Sequence, residues 1–422
     1  MSAPLLLISA DAVERIRAGG RWGRVVSSIS KGEHLVAIAS LSNEGEPVVP
    51  AGLPKNHWLN SGDKVSNGRW YRVTSGLHAA WFAAAARRDA GIATADFKGY
   101  ITTSFFSGSH LAVTYAPDVA TDFPGLEMPE LLAWHVSAES ATPMAVEVMP
   151  KTIGMQQLRN SWPVSTLAAS TVMVVGTGSI GGAAAIDLAA YGVGGLLLVD
   201  PDRLVWHNLV RHVSPAEHVG RLKVNSLKDQ IMALRPDTTV EALALDVVAD
   251  ADRIHQLLQS TSAVLCTADG VAPRRVVSHL ARQARIDAVL ACVLEDGAIG
   301  EVLRLRPWPG RGCLLCHRQK LIDDGGLDPE GTLEVGYGTF TRPMSAVGGD
   351  LHHVASLAAK ATVASILERR GHPEQALPGE HAVIALEPAT KWTPPFDIER
   401  TGEVRWAGPW PSRSGCVTCG AT

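Results

Sequence analysis

A continuous apolar run, Thr171–Val175, gives way to Gly176-Thr177-Gly178-Ser179-Ile180-Gly181-Gly182 and then to an alanine-rich stretch that ends on a second apolar run, Gly194–Val199. A buried strand, a glycine turn and a helix in that order leave few folds open. The helix must cross a sheet and return the chain parallel to the strand it left. The alternation continues: LKVNSLKDQIMALRP reads as a helix, TVEALALDV as a strand, ADRIHQLLQS as a helix, AVLCTAD as a strand and RRVVSHLARQARI as a helix, before strands AVLACVLE and GEVLRLRP. The expected fold class is α/β, a doubly wound, Rossmann-like, mainly parallel sheet over residues 151–422. Residues 1–150 lack this alternation. Their strand-like runs HLVAIASL, YITTSFF and LAVTYAP, with one helical stretch, GLHAAWFAAAARRDAG, predict a smaller α+β domain, and Met149–Ser170 reads as a linker or lead-in helix.

A glycine turn between a strand and a helix lets the backbone approach phosphate groups, to which the helix offers its unpaired N–H groups. Gly176, Gly178 and Gly181 occupy that turn, and Asp200 closes the next strand, where an acid can hydrogen-bond ribose hydroxyls. These positions define a nucleotide site without naming the nucleotide. An NAD(P)-dependent dehydrogenase has the same turn, so the residues that follow must discriminate.

Asp200-Pro201-Asp202 is followed by Asn208-Leu209-Val210-Arg211, and then by Gly220-Arg221-Leu222-Lys223 at the start of a helix. Hydride transfer has no need of an arginine and a lysine there. Attack at the α-phosphorus of ATP builds negative charge that fixed cations stabilise. An acid-x-acid pair, Asn-Leu-x-Arg and Gly-x-x-Lys in this order resemble the ThiF/MoeB/ubiquitin-activating superfamily, and the resemblance extends over residues ~155–422. It implies an adenylyltransferase with ATP over the glycine turn, its ribose on Asp200, Asp202 as a further nucleotide-site residue, and its triphosphate and expelled pyrophosphate held by Asn208, Arg211 and Lys223. The family carries an Mg²⁺-coordinating aspartate at the end of a later strand, with an arginine five residues on. Asp269 and Arg274 match those positions, although Ala268 is inserted and Gly270 replaces the family's asparagine.

The substrate this resemblance implies is the C-terminal carboxylate of a ubiquitin-like (β-grasp) protein. The alternatives are a peptide or small molecule, a sulfur carrier for cofactor synthesis, and a nucleotide-binding scaffold without turnover. Family members are commonly homodimers, some with an arginine reaching into the neighbour's site. Arg159 is the nearest counterpart here, closer to the glycine turn than the family places it.

Four of the six cysteines form Cys313-x-x-Cys316 and Cys416-x-x-Cys419. Each pair lets two thiolates converge on one ion, and two pairs complete a tetrahedral site that favours zinc. With no open position, the Zn²⁺ is expected to be structural, stapling the C-terminal tail to the sheet. The family resemblance carries the same pairs. The other two cysteines, Cys266 and Cys292, fall in apolar strand runs and are expected to be buried thiols. Where some family members have an acyl-accepting cysteine, ahead of the helical run LHHVASLAAKATVASIL, this chain has Thr341 and Ser345. Two routes stay open: attack on the adenylate by a nucleophile of a conjugating enzyme or other partner, or an oxyester on Ser345 (or Thr341) with His352 or His353 as base.

A net charge of −4, from 38 basic and 42 acidic side chains, gives no electrostatic case for nucleic acid or an anionic membrane. No apolar run reaches the ~20 residues that span a bilayer, and MSAPLLLISADAVERI has no basic residue ahead of its apolar run. A cytoplasmic location is the default expectation. Residues 1–150 contain no cysteine and no His-x-His, and their histidines, His34, His57, His78, His110 and His135, have no metal-ligand spacing. That domain is expected to be a recognition or dimerisation module.

Overall fold

The computed structural model describes residues 5–30, 32, 34–52, 64–86, 91–150, 154–326 and 346–420. It divides into two compact units, Met1–Gly154 and Met155–Thr422.

The second unit is built on an eight-stranded sheet ordered Thr239–Leu243, Gly195–Val199, Thr171–Val175, Ala263–Cys266, Asp287–Leu294, Ile299–Leu305, His381–Ala385, Val404–Ala407. The first five strands run parallel. From Asp287–Leu294 onward each neighbour is antiparallel, so the parallel sheet expected from the sequence carries an antiparallel extension. Side chains alternate between two cores along a strand: Val172 and Val174 face one, Met173 and Val175 the other. Helices Ser179–Ala190, Lys223–Leu234 and Gly348–Arg369 supply the first core, and Ala251–Leu258, Val271–Gln283 and Leu314–Asp323 the second. Strands covered on both faces have no polar face to spare, which is why Asp287–Leu294 is buried throughout. Gly348–Arg369 buries Leu351, Val354, Ile366 and Leu367, each contributing about 1.5–3 kcal/mol relative to exposure.

Strand order reverses at Thr171–Val175, which has Gly195–Val199 on one side and Ala263–Cys266 on the other. A reversal leaves a crevice at the carboxyl ends of the strands, because the helices that follow leave in opposite directions. Between Leu158 and Thr171 the chain forms a short helix, Val164–Ala168.

In the first unit Leu5–Ser9 pairs in parallel with both Leu35–Asn43 and Ser140–Met149, so its nine-stranded sheet closes on itself. Alternation again sorts side chains: Leu111 and Val113 join one core with the helix Ala10–Ala18, while Ala112, Trp134 and Val136 join another with Leu77 and Phe97. The strand read from YITTSFF does not form. Tyr100 instead ends the helix Thr94–Gly99, Phe105 stacks on Tyr71 and meets Phe97 edge-to-face, and Phe106 N donates to the Tyr71 hydroxyl at 3.1 Å. Aromatic packing and a side-chain acceptor satisfy this loop without a strand partner.

Candidate functional site

The crevice at the strand reversal is a cleft of about 680 Å³. Its floor is the glycine turn. Gly176 has φ +86°, and a Cβ there would come within 2.6 Å of Ala268 N. A Cβ at Gly181 would meet Gly176 O at 1.9 Å, so no larger residue fits where the helix crosses its own entry loop. The helix opens at Ser179, with Gly178 before it, and its first N–H groups have no intrahelical acceptor.

Asp200 is buried and fastens this turn. Its Oδ2 accepts from Thr177 N at 2.7 Å and Thr177 Oγ1 at 3.1 Å, and its Oδ1 accepts from Asp202 N at 2.9 Å. Its remaining lone pairs stay available to a ligand, as does Asp202, whose side chain is 65% exposed. Asn208 is buried, and its Oδ1 accepts from Val205 N at 3.1 Å, closing the short 3₁₀ turn Trp206–Asn208 that presents Arg211. Arg211 lines the cleft and donates to His207 O at 3.4 Å. Lys223 opens its helix, and its Nζ pairs with Asp202 at 2.8 Å.

Asp269 follows the strand Ala263–Cys266 and lies exposed in the same cleft. The protein crowding round it raises its carboxyl, while Lys223 and then Arg211 pull it back down. Burial lowers the Arg211 guanidinium, and Asp269 raises it. Arg211 and Lys223 thus share with Asp269 and Asp202 a cleft floored by a helix N-terminus, an arrangement suited to a polyphosphate with a divalent ion. His212, which the sequence reading passed over, lines the same cleft. Its only signal there was its place directly after Arg211.

Arg274 corrects the sequence expectation. It does not line the cleft; it is fully buried, and its Nη2 donates to Glu301 at 3.1 Å. Glu301 also accepts from Arg318 at 2.7 and 2.6 Å. Burial alone would raise the Glu301 carboxyl, but Arg318 and then His381 outweigh it and hold it well below the usual carboxylate range. A guanidinium with no exit to solvent needs such a partner. Arg159 is exposed and outside the cleft lining. Burial pushes the thiols of Cys266 and Cys292 up to about 11 and about 12, leaving both protonated and unreactive. Ser345 and Thr341 lie outside the described residues.

The four remaining cysteines converge. Their sulfurs lie within 4.8 Å of one another, at 3.9 Å for Cys313–Cys316, 3.5 Å for Cys313–Cys416 and 3.7 Å for Cys316–Cys419. Sulfurs at tetrahedral corners around zinc stand about 3.8 Å apart, so the donor set fits Zn²⁺. Arg413 N donates to the Cys316 sulfur at 3.3 Å, and Trp410 Nε1 to Cys313 O at 3.0 Å, holding both knuckles in place.

Residues 150–387 match the profile of the ThiF family. The chain belongs to the ThiF family. Within it, this ThiF-family protein is 33% identical over 117 residues to the SAMP-activating enzyme E1 of Haloferax volcanii, covering 28% of this chain and 43% of that protein. It is 31% identical over 151 residues to protein HesA of Leptolyngbya boryana, covering 36% and 53%. It is 28% identical over 148 residues to the sulfur carrier protein ThiS adenylyltransferase of Escherichia coli, covering 35% and 57%. The chain spans about half the length of the curated relatives it matches. A crystal structure of E. coli MccB with ATP aligns at 20% identity and a TM-score of 0.44, over 60% of this chain and 68% of that one. No helix among the described residues is long and apolar enough to cross a membrane.

Proposed function

We propose that this ThiF-family protein adenylates the C-terminal carboxylate of a ubiquitin-like, β-grasp protein with ATP. The observation that supports this reading best is the meeting of Arg211, Lys223 and Asp269 in one cleft above the glycine turn. Asp269 is the proposed Mg²⁺ ligand, the ion supplying charge neutralisation between phosphates, and Cys313, Cys316, Cys416 and Cys419 are the proposed structural Zn²⁺ ligands. The acyl carboxylate is already ionised at neutral pH and needs no general base. One of its oxygens bonds to the α-phosphorus as the bond from that phosphorus to the bridging oxygen breaks, and pyrophosphate leaves. Positioning by the glycine turn and charge stabilisation by Arg211 and Lys223 provide the catalysis.

Residues 1–150 are the proposed recognition module, and a cytoplasmic homodimer is the proposed working form. The acyl group then passes from the adenylate to a nucleophile of a conjugating partner, or to the hydroxyl of Ser345, as the bond from the acyl carbon to the phosphate oxygen breaks and AMP leaves. Sulfur-carrier activation is the second reading, favoured by the name of the ThiS adenylyltransferase relative.

The test is ATP–pyrophosphate exchange with candidate β-grasp proteins ending in glycine, sulfur carriers among them. Exchange should depend on one such protein and fall by at least about 10²-fold in Lys223→Ala and in Asp269→Ala. Absence of exchange with every candidate, from protein that binds ATP, would turn the reading toward a peptide, a small molecule or a scaffold.

A further inference from the structure

We infer that His212 is a further phosphate-contact residue of the cleft, donating a hydrogen bond from Nε2 to the bound polyphosphate and taking up a proton as the nucleotide arrives. The inference rests on the nucleotide reading above. Its geometric basis is the aim of the ring. His212 N donates to Asn208 O at 3.0 Å, which fixes where the side chain projects. Nε2 then lies 4.0 Å from the point where a Cβ on Gly178 would stand, facing the residue that precedes the helix Ser179–Ala190. Among the described residues no hydrogen bond reaches the ring, so its polar edge is available to a ligand in the cleft it lines.

The surroundings explain why protonation must follow occupancy. Lys223 faces His212 from the start of its own helix, Arg211 and His207 from the segment His212 shares, and Asp202 from the loop after Gly195–Val199. The positive end of the helix Ser179–Ala190 adds to the same sign. Burial first, then Lys223, Arg211 and His207, lower the imidazole to about 3 against the opposing pull of Asp202. In the free protein the ring is therefore neutral, and adds no third positive charge beside Lys223 and Arg211. A polyphosphate reverses that field. It engages the two fixed cations and places negative oxygens within reach of Nε2, so the imidazolium becomes far easier to form than in the free protein. The proton comes from solvent, and nucleotide affinity must then rise as pH falls.

The experiment is calorimetric titration of Mg·ATP into the full chain at pH 7.5 and pH 5.5, in buffers of different ionisation enthalpy, for wild type, His212→Gln and Lys223→Ala. Protonation of ATP itself is common to all three and drops out of the comparison. With the bound ring titrating near the ordinary histidine value, wild-type affinity gains about tenfold between the two pH values beyond any gain in His212→Gln. The gain comes with a matching excess of proton uptake. Glutamine keeps a neutral donor, so His212→Gln should still bind at pH 7.5, whereas Lys223→Ala weakens binding at both pH values. Equal proton uptake in wild type and His212→Gln would overturn the inference while leaving the nucleotide site standing. So would wild-type binding at pH 5.5 with no proton uptake, a result that needs no variant to fold. Failure of the wild type to bind Mg·ATP at all overturns the nucleotide reading itself, and this inference with it.

Discussion

At the scale of single residues, burial decides which charged groups serve chemistry and which serve the fold. Lys223 and Asp269 keep contact with the cleft, while Arg274 and Glu301 have none with solvent. Asp287 shows the cost of burial without compensation. It is 1% exposed, neither carboxylate oxygen accepts a hydrogen bond among the described residues, and Arg369 Nη1 stands 3.9 Å away. Burial raises its carboxyl to about 6, against the pull of Arg369, Arg306 and Arg304. Unfolded, the same group titrates near 3.9. Below both values it is neutral in either state and its ionisation contributes nothing to stability. As pH rises from ~4 through ~6 the unfolded chain ionises first, and stability falls by about 3 kcal/mol to a lower plateau. Asp287→Asn should therefore be the more stable protein at pH 7, by something on the order of 1–3 kcal/mol, with the loss between pH 4 and 6 reduced. Chemical denaturation across that range checks it, and a variant less stable than wild type at pH 7 would show that Arg369 outweighs desolvation.

At the scale of elements, what positions the cleft is a set of short connections locked by side chains. Thr177 and Asp202 are tied by Asp200, and Thr267 Oγ1 donates to Gly176 O at 2.8 Å, joining the turn to the next strand. These are local, and the glycine spacing made them legible: the turn has to be glycine where a Cβ would strike Gly176 O or Ala268 N. The helix Leu314–Asp323 was less legible. Its first turn carries Cys316, and the following residues His317 and Arg318 are buried, Arg318 against Glu301 seventeen residues back. The cysteine cluster therefore anchors an element that also braces Arg274. Chelation of the metal, or Cys416→Ser, should release residues 410–420 to proteolysis and lower the unfolding temperature. An unchanged temperature and an intact tail would mean that Trp410 packing alone holds the segment.

At the scale of the whole molecule, the two units have separate cores, and every residue of the candidate cleft comes from the second. Residues 155–422 expressed alone should keep ATP–pyrophosphate exchange at saturating acyl substrate, while the concentration needed for half-maximal exchange rises. Steady-state kinetics on the two lengths of chain separate these effects. Loss of nucleotide binding by a folded truncation would place the first unit in the chemistry.

The sequence by itself determined the α/β alternation, the glycine turn, the family and the two cysteine pairs. Each is written in residues close together in the chain, where period, turn chemistry or ligand spacing leaves little choice. Tertiary structure alone decided the rest. Closure of the first sheet depends on Leu5–Ser9 pairing with Ser140–Met149, a contact that no local pattern encodes. The loop at YITTSFF lost its strand to aromatic packing with Tyr71 and Phe97. Arg274 left the cleft because Glu301, twenty-seven residues on, offers a buried carboxylate. His212 entered it because a 3₁₀ turn and a helix on either side of the strand Gly195–Val199 fold together and aim one imidazole at one glycine. Side-chain identity sets what a residue can do, and the low-dielectric surroundings that only the folded chain creates set what it does.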